Sequence, residues 1–198
     1  MGPSAFEPRC NGTVHMSHFG DNRAMEKRRS IIISAVAVAA MCAFVFFMSD
    51  RPSGESGAMS AAVTQFFIQL FVPDFSQMDA ESQKALMDSL HHAVRKLAHF
   101  SEYAVLGMLA VNLARRIRDL HGAPSPRVCA LAAWACSTLY AVTDEIHQIF
   151  VPGRACLATD VLIDSAGVAT GILIFLAVVA LRRRRNREHL SQTSVPWQ

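Results

Sequence analysis

Charge is what this sequence has least of. Lys, Arg, Asp and Glu make up 18% of the residues, while hydrophobic types reach 52%, a more apolar balance than a soluble domain shows. The shortage is uneven: residues 31–48, 128–142 and 165–181 carry no charged side chain at all. Such blocking argues against a soluble core, which would scatter its apolar residues, and for membrane spans. The first and last runs are close to the ~18–20 residues that cross a hydrocarbon layer. The middle run is short unless its helix continues into the polar motif that follows. Cysteine is sparse and lacks metal-type spacing. Of Cys10, Cys42, Cys129, Cys136 and Cys156, three lie inside apolar runs, where they act as small hydrophobes, and together they assign no redox compartment. There is no internal repeat, no nucleophile elbow carrying Ser or Cys, and no pair of broken helices of the transporter kind.

The charges that are present are sorted. Basic residues gather before the first run (Arg23, Lys27, Arg28, Arg29), between the second and third spans (Arg115, Arg116, Arg118, Arg127) and after the last run (Arg182, Arg183, Arg184, Arg185, Arg187). An arginine run abutting an apolar segment anchors topology rather than reading nucleic acid, and no nucleic-acid partner is expected. Residues 28–48 are too long, and Phe46, Phe47 and Met48 too bulky, for a cleaved signal peptide, so a retained span is expected.

Taken in order, residues 1–30 are polar and mixed and read as a disordered cytoplasmic tail. Residues 51–57 read as a turn region. Residues 58–72 form an apolar segment of intermediate length suited to the membrane interface, ended by Pro73. Asp79 can cap a long helix that passes through Leu86, Leu90 and Val94 and enters the membrane over residues 97–114. A loop around Gly122, Pro124 and Pro126 leads to the third span, 128–142. A compact polar connection, 144–154, leads to the fourth, 160–181, and a basic tail occupies 182–198. With every basic cluster in the cytoplasm, four spans fit, with both termini inside. The outer segments then hold Arg51, Lys84, Arg95, Lys96 and Arg154 against Asp50, Glu55, Asp74, Asp79, Glu81, Asp88, Asp144, Glu145 and Asp160, as the positive-inside rule requires. The expected architecture is an all-α, integral membrane bundle of four transmembrane helices with one additional interfacial helix.

This topology brings polar side chains to one outer boundary. Lys96, His99 and Tyr103 share a helical face with Gly107 one turn deeper, and Glu102 sits at its edge. Asp144, His147 and Gln148 share a face if the third helix persists. Asp160, Asp164, Gly167 and Gly171 share one on the fourth. Glu145 and Arg154 complete the set. Ionisable groups in a membrane are costly and usually functional. Three readings follow. Lys96 and Arg154 can neutralise carboxylates and hold the helices together. His99, Glu102, Asp144, Glu145, His147, Asp160 and Asp164 offer mixed N/O donors compatible with a divalent metal, without a strict ligand signature. Glu102 or Asp144 can serve as a base with His99 or His147 as acid partner, while Lys96, Tyr103, Glu145, Gln148, Arg154, Asp160 and Asp164 bind the substrate. Gly167 and Gly171, four apart, suit either a close helix contact or an ordinary span.

The stretch Arg95, Lys96, Leu97, Ala98, His99, Phe100, Ser101, Glu102, Tyr103, continuing to Leu106 and Gly107, resembles the first motif of the VanZ-like membrane proteins. Thr143, Asp144, Glu145, Ile146, His147, Gln148, then Phe150, Val151, Pro152, Gly153, Arg154, then Asp160, Asp164 and Gly167 resemble the second. The likeness covers about residues 31–181 and leaves the N-terminal tail outside. It implies a multi-span cell-envelope protein of bacterial type. The family's namesake is associated with resistance to teicoplanin, a glycopeptide acting on peptidoglycan precursors outside the membrane. The implied partners are the lipid bilayer and a lipid-linked envelope precursor, and the cofactor is left open. The competing expectation is a scaffold or surface-shielding protein whose polar cluster is structural.

Overall fold

The computed structural model describes residues 14–50, 53–122, 124–152 and 156–193, with side chains placed at 23–50, 61–122, 124–152 and 156–189. The described chain is all-helical: α1 (Val14–Ser49), α2 (Ser53–Phe71), a short 3₁₀ turn (Phe75–Gln77), α3 (Ala80–His121), α4 (Pro126–Gln148) and α5 (Ala158–Thr193).

The local chemistry explains the boundaries. Asp79 caps α3, its Oδ1 accepting from the amides of Glu81 at 3.1 Å and Ser82 at 2.9 Å. Gly122 closes the same helix in the left-handed conformation at φ 77°, where a side chain would be strained. Ser125 caps α4 with Pro126 in its first turn, a position where the missing amide costs nothing.

Three of these helices are long and apolar enough to cross a bilayer: Arg23–Ser49 at mean hydropathy 2.7, Ala80–His121 at 1.3 and Ala158–His189 at 2.2. Their outward faces are greasy, with Ile32, Phe47, Leu162 and Leu173 all more than 60% exposed, as suits side chains that meet lipid. The fourth expected span, on α4, is not among them, because acids follow its short apolar run.

Side-chain contacts give the helix directions. Lys27 Nζ donates to the Asp119 carbonyl and Asn112 to Ser34, so α1 and α3 are antiparallel. Tyr140 donates to the Cys42 carbonyl at 2.6 Å and Ser49 to Asp144, so α4 runs with α1. Lys96 meets Asp160 near the start of α5, and Phe100 and then Ala104 meet Gly167 and then Gly171, so α5 runs with α3. The tightest seam joins α3 to α5. A Cβ added at Gly167 would strike the Phe100 backbone, one at Gly171 the Ala104 backbone, and one at Gly107 the Val168 backbone. Of the two roles open to the glycine pair, close packing is the one it plays. In lipid, where burial of apolar surface does not drive helices together, small residues of this kind permit the close approach. The core is Val45, Tyr103, Leu106, Val111, Ala133, Ala141, Val168 and Ile172. α1 and α4 meet near their C-terminal ends and diverge around an apolar cavity of about 330 Å³ floored by Leu106, Ala110 and Leu113 of α3.

Several boundaries differ from those expected. Residues 14–30 are helical and continuous with the first span, because the span propagates back through a stretch without proline; residues 1–13 lie outside the described residues. α2 begins at Ser53, within the expected turn, and Arg51 and Pro52 are outside the described residues. The polar connection expected at 144–154 begins later, since α4 persists to Gln148. Nothing in Asp144, Glu145, Ile146, His147 and Gln148 breaks a helix. α5 likewise runs on through the arginines to Thr193.

Candidate functional site

The helix directions collect the polar motifs at one end of the bundle. That end holds the C-termini of α1 and α4, the Lys96 to Tyr103 stretch of α3 and the start of α5. The arginine clusters lie at the other. Within the polar end a more exposed upper tier grades into a buried lower one, Lys96 and Tyr103 lying about 10 Å apart along α3 by helical rise.

At the upper level Lys96 Nζ pairs with Asp160 Oδ1 at 3.1 Å, both side chains about a quarter exposed. His99 Nδ1 lies 3.9 Å from Glu102 Oε2, one turn along the same helix. Glu145 Oε1 accepts from the Leu157 amide at 2.7 Å, so this acid ties the α4–α5 connection to α4. His147 turns away from the others. Its Nε2 is 3.2 Å from Asp50 Oδ1, and its ring lies 4.6 Å from that of Phe46.

The lower level is buried. Asp144 Oδ2 accepts from the Ser49 hydroxyl at 2.7 Å and from Gln148 Nε2 at 3.3 Å. Asp144 Oδ1, Asp164 Oδ1 and the Tyr103 hydroxyl are buried with no hydrogen bond of acceptable geometry among the described residues. These orphans come from α4, α5 and α3 and share one electrostatic neighbourhood. Tyr103 lies beside the carboxyl groups of Asp144 and Asp164, and Asp164 within reach of Asp144, Glu145, Asp160 and Glu102. Tyr103 stands as a donor beside the Asp144 acceptor, and Asp164 adds a buried oxygen with no partner of good geometry, whose unmade bond costs on the order of 1–3 kcal/mol.

A family comparison adds to this geometry. The model of the VanZ/LLP1 family matches residues 34–180. The chain belongs to the VanZ/LLP1 family. Both motifs fall inside the matched region, and the family agrees with the three apolar helices: this is a membrane protein. No curated protein and no solved structure matches it.

Among the expected site residues, this VanZ/LLP1 chain draws Lys96 to Asp160, His99 to Glu102, and Asp144 to Gln148, with Tyr103 and Asp164 beside Asp144. It does not bring His147 into that group: the ring sits on the α1 side of α4, although Asp144, His147 and Gln148 are near one another around the helix. Arg154 lies outside the described residues. Among the described residues no three His, Cys, Asp or Glu side chains are grouped to hold a metal ion. Two contributors escaped the sequence reading, Ser49 and Asp50. Ser49 is fully buried against Asp144, and Asp50 faces His147. The available signal was their place: polar residues ending an apolar run at the level of the acidic motif.

Proposed function

We propose that this VanZ/LLP1 protein crosses the membrane four times with both termini in the cytoplasm. Its polar end then binds or modifies a lipid-linked or phosphate-bearing envelope molecule at the outer face, contributing to glycopeptide resistance of the teicoplanin type. The observation that carries the reading is the buried convergence of Tyr103, Asp144 and Asp164 from three helices beneath the Lys96–Asp160 pair. α4 supplies the remaining crossing, since its length of 23 residues spans ~34 Å at helical rise. The positive-inside rule puts the arginine end in the cytoplasm. α2, with Phe66, Leu70 and Phe71 exposed, lies in the outer interface.

The division of labour follows from charge. A phosphate is repelled by the acidic lower level. Its place is the rim, beside Lys96. The carboxylates beneath accept hydrogen bonds or a proton from hydroxyl or amine groups of the same molecule. Glu102 and Asp144 are the candidate bases, and His99 the nearer acid partner.

A second reading has its own support. Lys96–Asp160, Ser49–Asp144 and Glu145–Leu157 each join two helices or brace a connection, as a structural cluster in a scaffold or shielding protein would. Teicoplanin susceptibility of a sensitive Gram-positive host separates the two. The host expresses wild type, Glu102→Gln or Asp144→Asn at matched membrane abundance. Protection by wild type alone supports the outer-face site. Equal protection by all three assigns the cluster to structure. No protection by any removes the resistance role.

A further inference from the structure

We propose that the arginine end of the bundle holds a site for the phosphate of an anionic membrane phospholipid, seated between α1 and α3. It is about as far from the polar motifs as the bundle allows. The proposal requires these helices to cross a bilayer, but not that the motif end binds anything.

The site is a cavity of about 340 Å³ lined by Arg23, Glu26, Lys27 and Ser30 of α1 and by Arg116 and Asp119 of α3. Its acids do not cancel its bases. The Asp119 carboxylate is taken by its neighbour Arg118, whose Nη2 and Nε donate to Oδ1 at 2.6 and 3.0 Å. Lys27 reaches Asp119 through the backbone, donating from Nζ to the carbonyl at 3.3 Å, and an ammonium has further N–H bonds to offer. Glu26 is then the acid set against Arg23, Lys27 and Arg116, and the cavity keeps a net positive charge.

The guanidinium of Arg116 is held in place. Its Nε donates to Asn112 Oδ1 at 3.3 Å, Asn112 Nδ2 donates to Ser34 Oγ at 3.4 Å, and the Ser34 hydroxyl donates to the Ser30 carbonyl at 3.0 Å. This ladder crosses the α1–α3 seam from a buried serine to the cavity. It occupies Nε and leaves both terminal nitrogens of Arg116 able to form the two-pronged contact that guanidinium makes with phosphate.

The surroundings identify the phosphate as a lipid's. Ile32 and Ile33, next along α1, and Ile117, beside Arg116, are exposed at 62%, 60% and 40%. A phosphate at the level of Lys27 and Arg116 would therefore have its acyl chains on an apolar wall that already faces the bilayer. A basic pocket between spans is a recurrent headgroup site in membranes.

The test is native mass spectrometry of the full-length protein in neutral detergent with phosphatidylglycerol or phosphatidylcholine of the same chains. Wild type is expected to retain one phosphatidylglycerol with a preference of about tenfold or more over phosphatidylcholine. The double variant Lys27→Gln, Arg116→Gln is expected to lose that preference. Arg184→Gln, Arg187→Gln, which removes the same charge from exposed positions on α5, is expected to keep it. Arg23→Gln at the exposed rim gives a partial loss and serves if the double variant does not fold. Equal retention of the two lipids overturns the proposal. So does an equal loss in the α5 variant, which would mean diffuse charge. Full displacement of the lipid by millimolar inorganic phosphate would reassign the site to the free anion and overturn the lipid assignment.

Discussion

Asp144 uses its two oxygens unequally. Oδ2 takes the Ser49 hydroxyl and the Gln148 amide, while Oδ1 is buried without a bond. Removing one donor should therefore be felt. Ser49→Ala is expected to lower stability by about 1–3 kcal/mol, the range for a lost buried hydrogen bond to a charged group, read as thermal unfolding in detergent. In an Asp144→Asn background the same change should cost clearly less, because the two residues share one interaction. Strict additivity would show that the Ser49–Asp144 bond does not form. Asp79 offers a pH test at the other extreme of exposure. Its hydrogen bonds to Ser82, side chain first and then backbone, hold its carboxyl below the ordinary carboxylate value. The folded pKa lies below the unfolded one, so the cap's contribution is complete above the unfolded pKa and is lost as pH falls through the folded one. The protection of the Glu81 and Ser82 amides, measured relative to their intrinsic exchange at each pH, should fall on acidification. Asp79→Ala should show low protection at every pH and no such step.

At the scale of elements, two kinds of glycine behave differently. Gly122 needs only its left-handed backbone: no atom lies within 4 Å of an added Cβ. Gly122→Ala is expected to cost about 1–2 kcal/mol of local strain and to leave the α3–α5 seam intact. Gly171 has an ordinary helical backbone but no room, since a Cβ there overlaps the carbonyl of Ala104. Backbone cannot swing aside as a side chain can, so Gly171→Leu is expected to part the two helices. The result should be a larger fall in melting temperature and in membrane abundance than Gly122→Ala produces. Equal falls would show that the helices do not touch there. The same seam explains how much of the site was legible. That Lys96, His99 and Tyr103 lie on one face of α3 follows from helical spacing. That Lys96 meets Asp160 depends on the offset between α3 and α5, set where glycine meets backbone.

The whole molecule is polarised, acids at one end and arginines at the other, with apolar helices between. Orientation is testable at that scale. Cys156 is an exposed thiol in the connection after α4, at the polar end. A membrane-impermeant maleimide applied to intact cells is expected to modify it, and Cys156→Ser should remove that labelling. Labelling confined to permeabilised cells would invert the proposed topology. Family membership over residues 34–180 and the three apolar helices fit the motifs and runs read along the chain. The extent of α1 and α4 was less legible, because a helix stops at a breaker or a cap and not where its apolar run ends.

What the sequence by itself determined is which segments are apolar enough to enter lipid and which polar residues border them. Charge in hydrocarbon is so costly that a chain writes its spans as apolar runs with few charges. What the tertiary structure alone decided is which polar groups meet. Ser49 is joined to Asp144, His147 is turned to Asp50, Glu145 is bound to the Leu157 amide, and Tyr103 and Asp164 are set beside Asp144. Each outcome depends on how far the helices rotate and slide against one another. Hydrogen bonds are lost with shifts of less than 1 Å, a precision that packing sets and linear spacing does not carry.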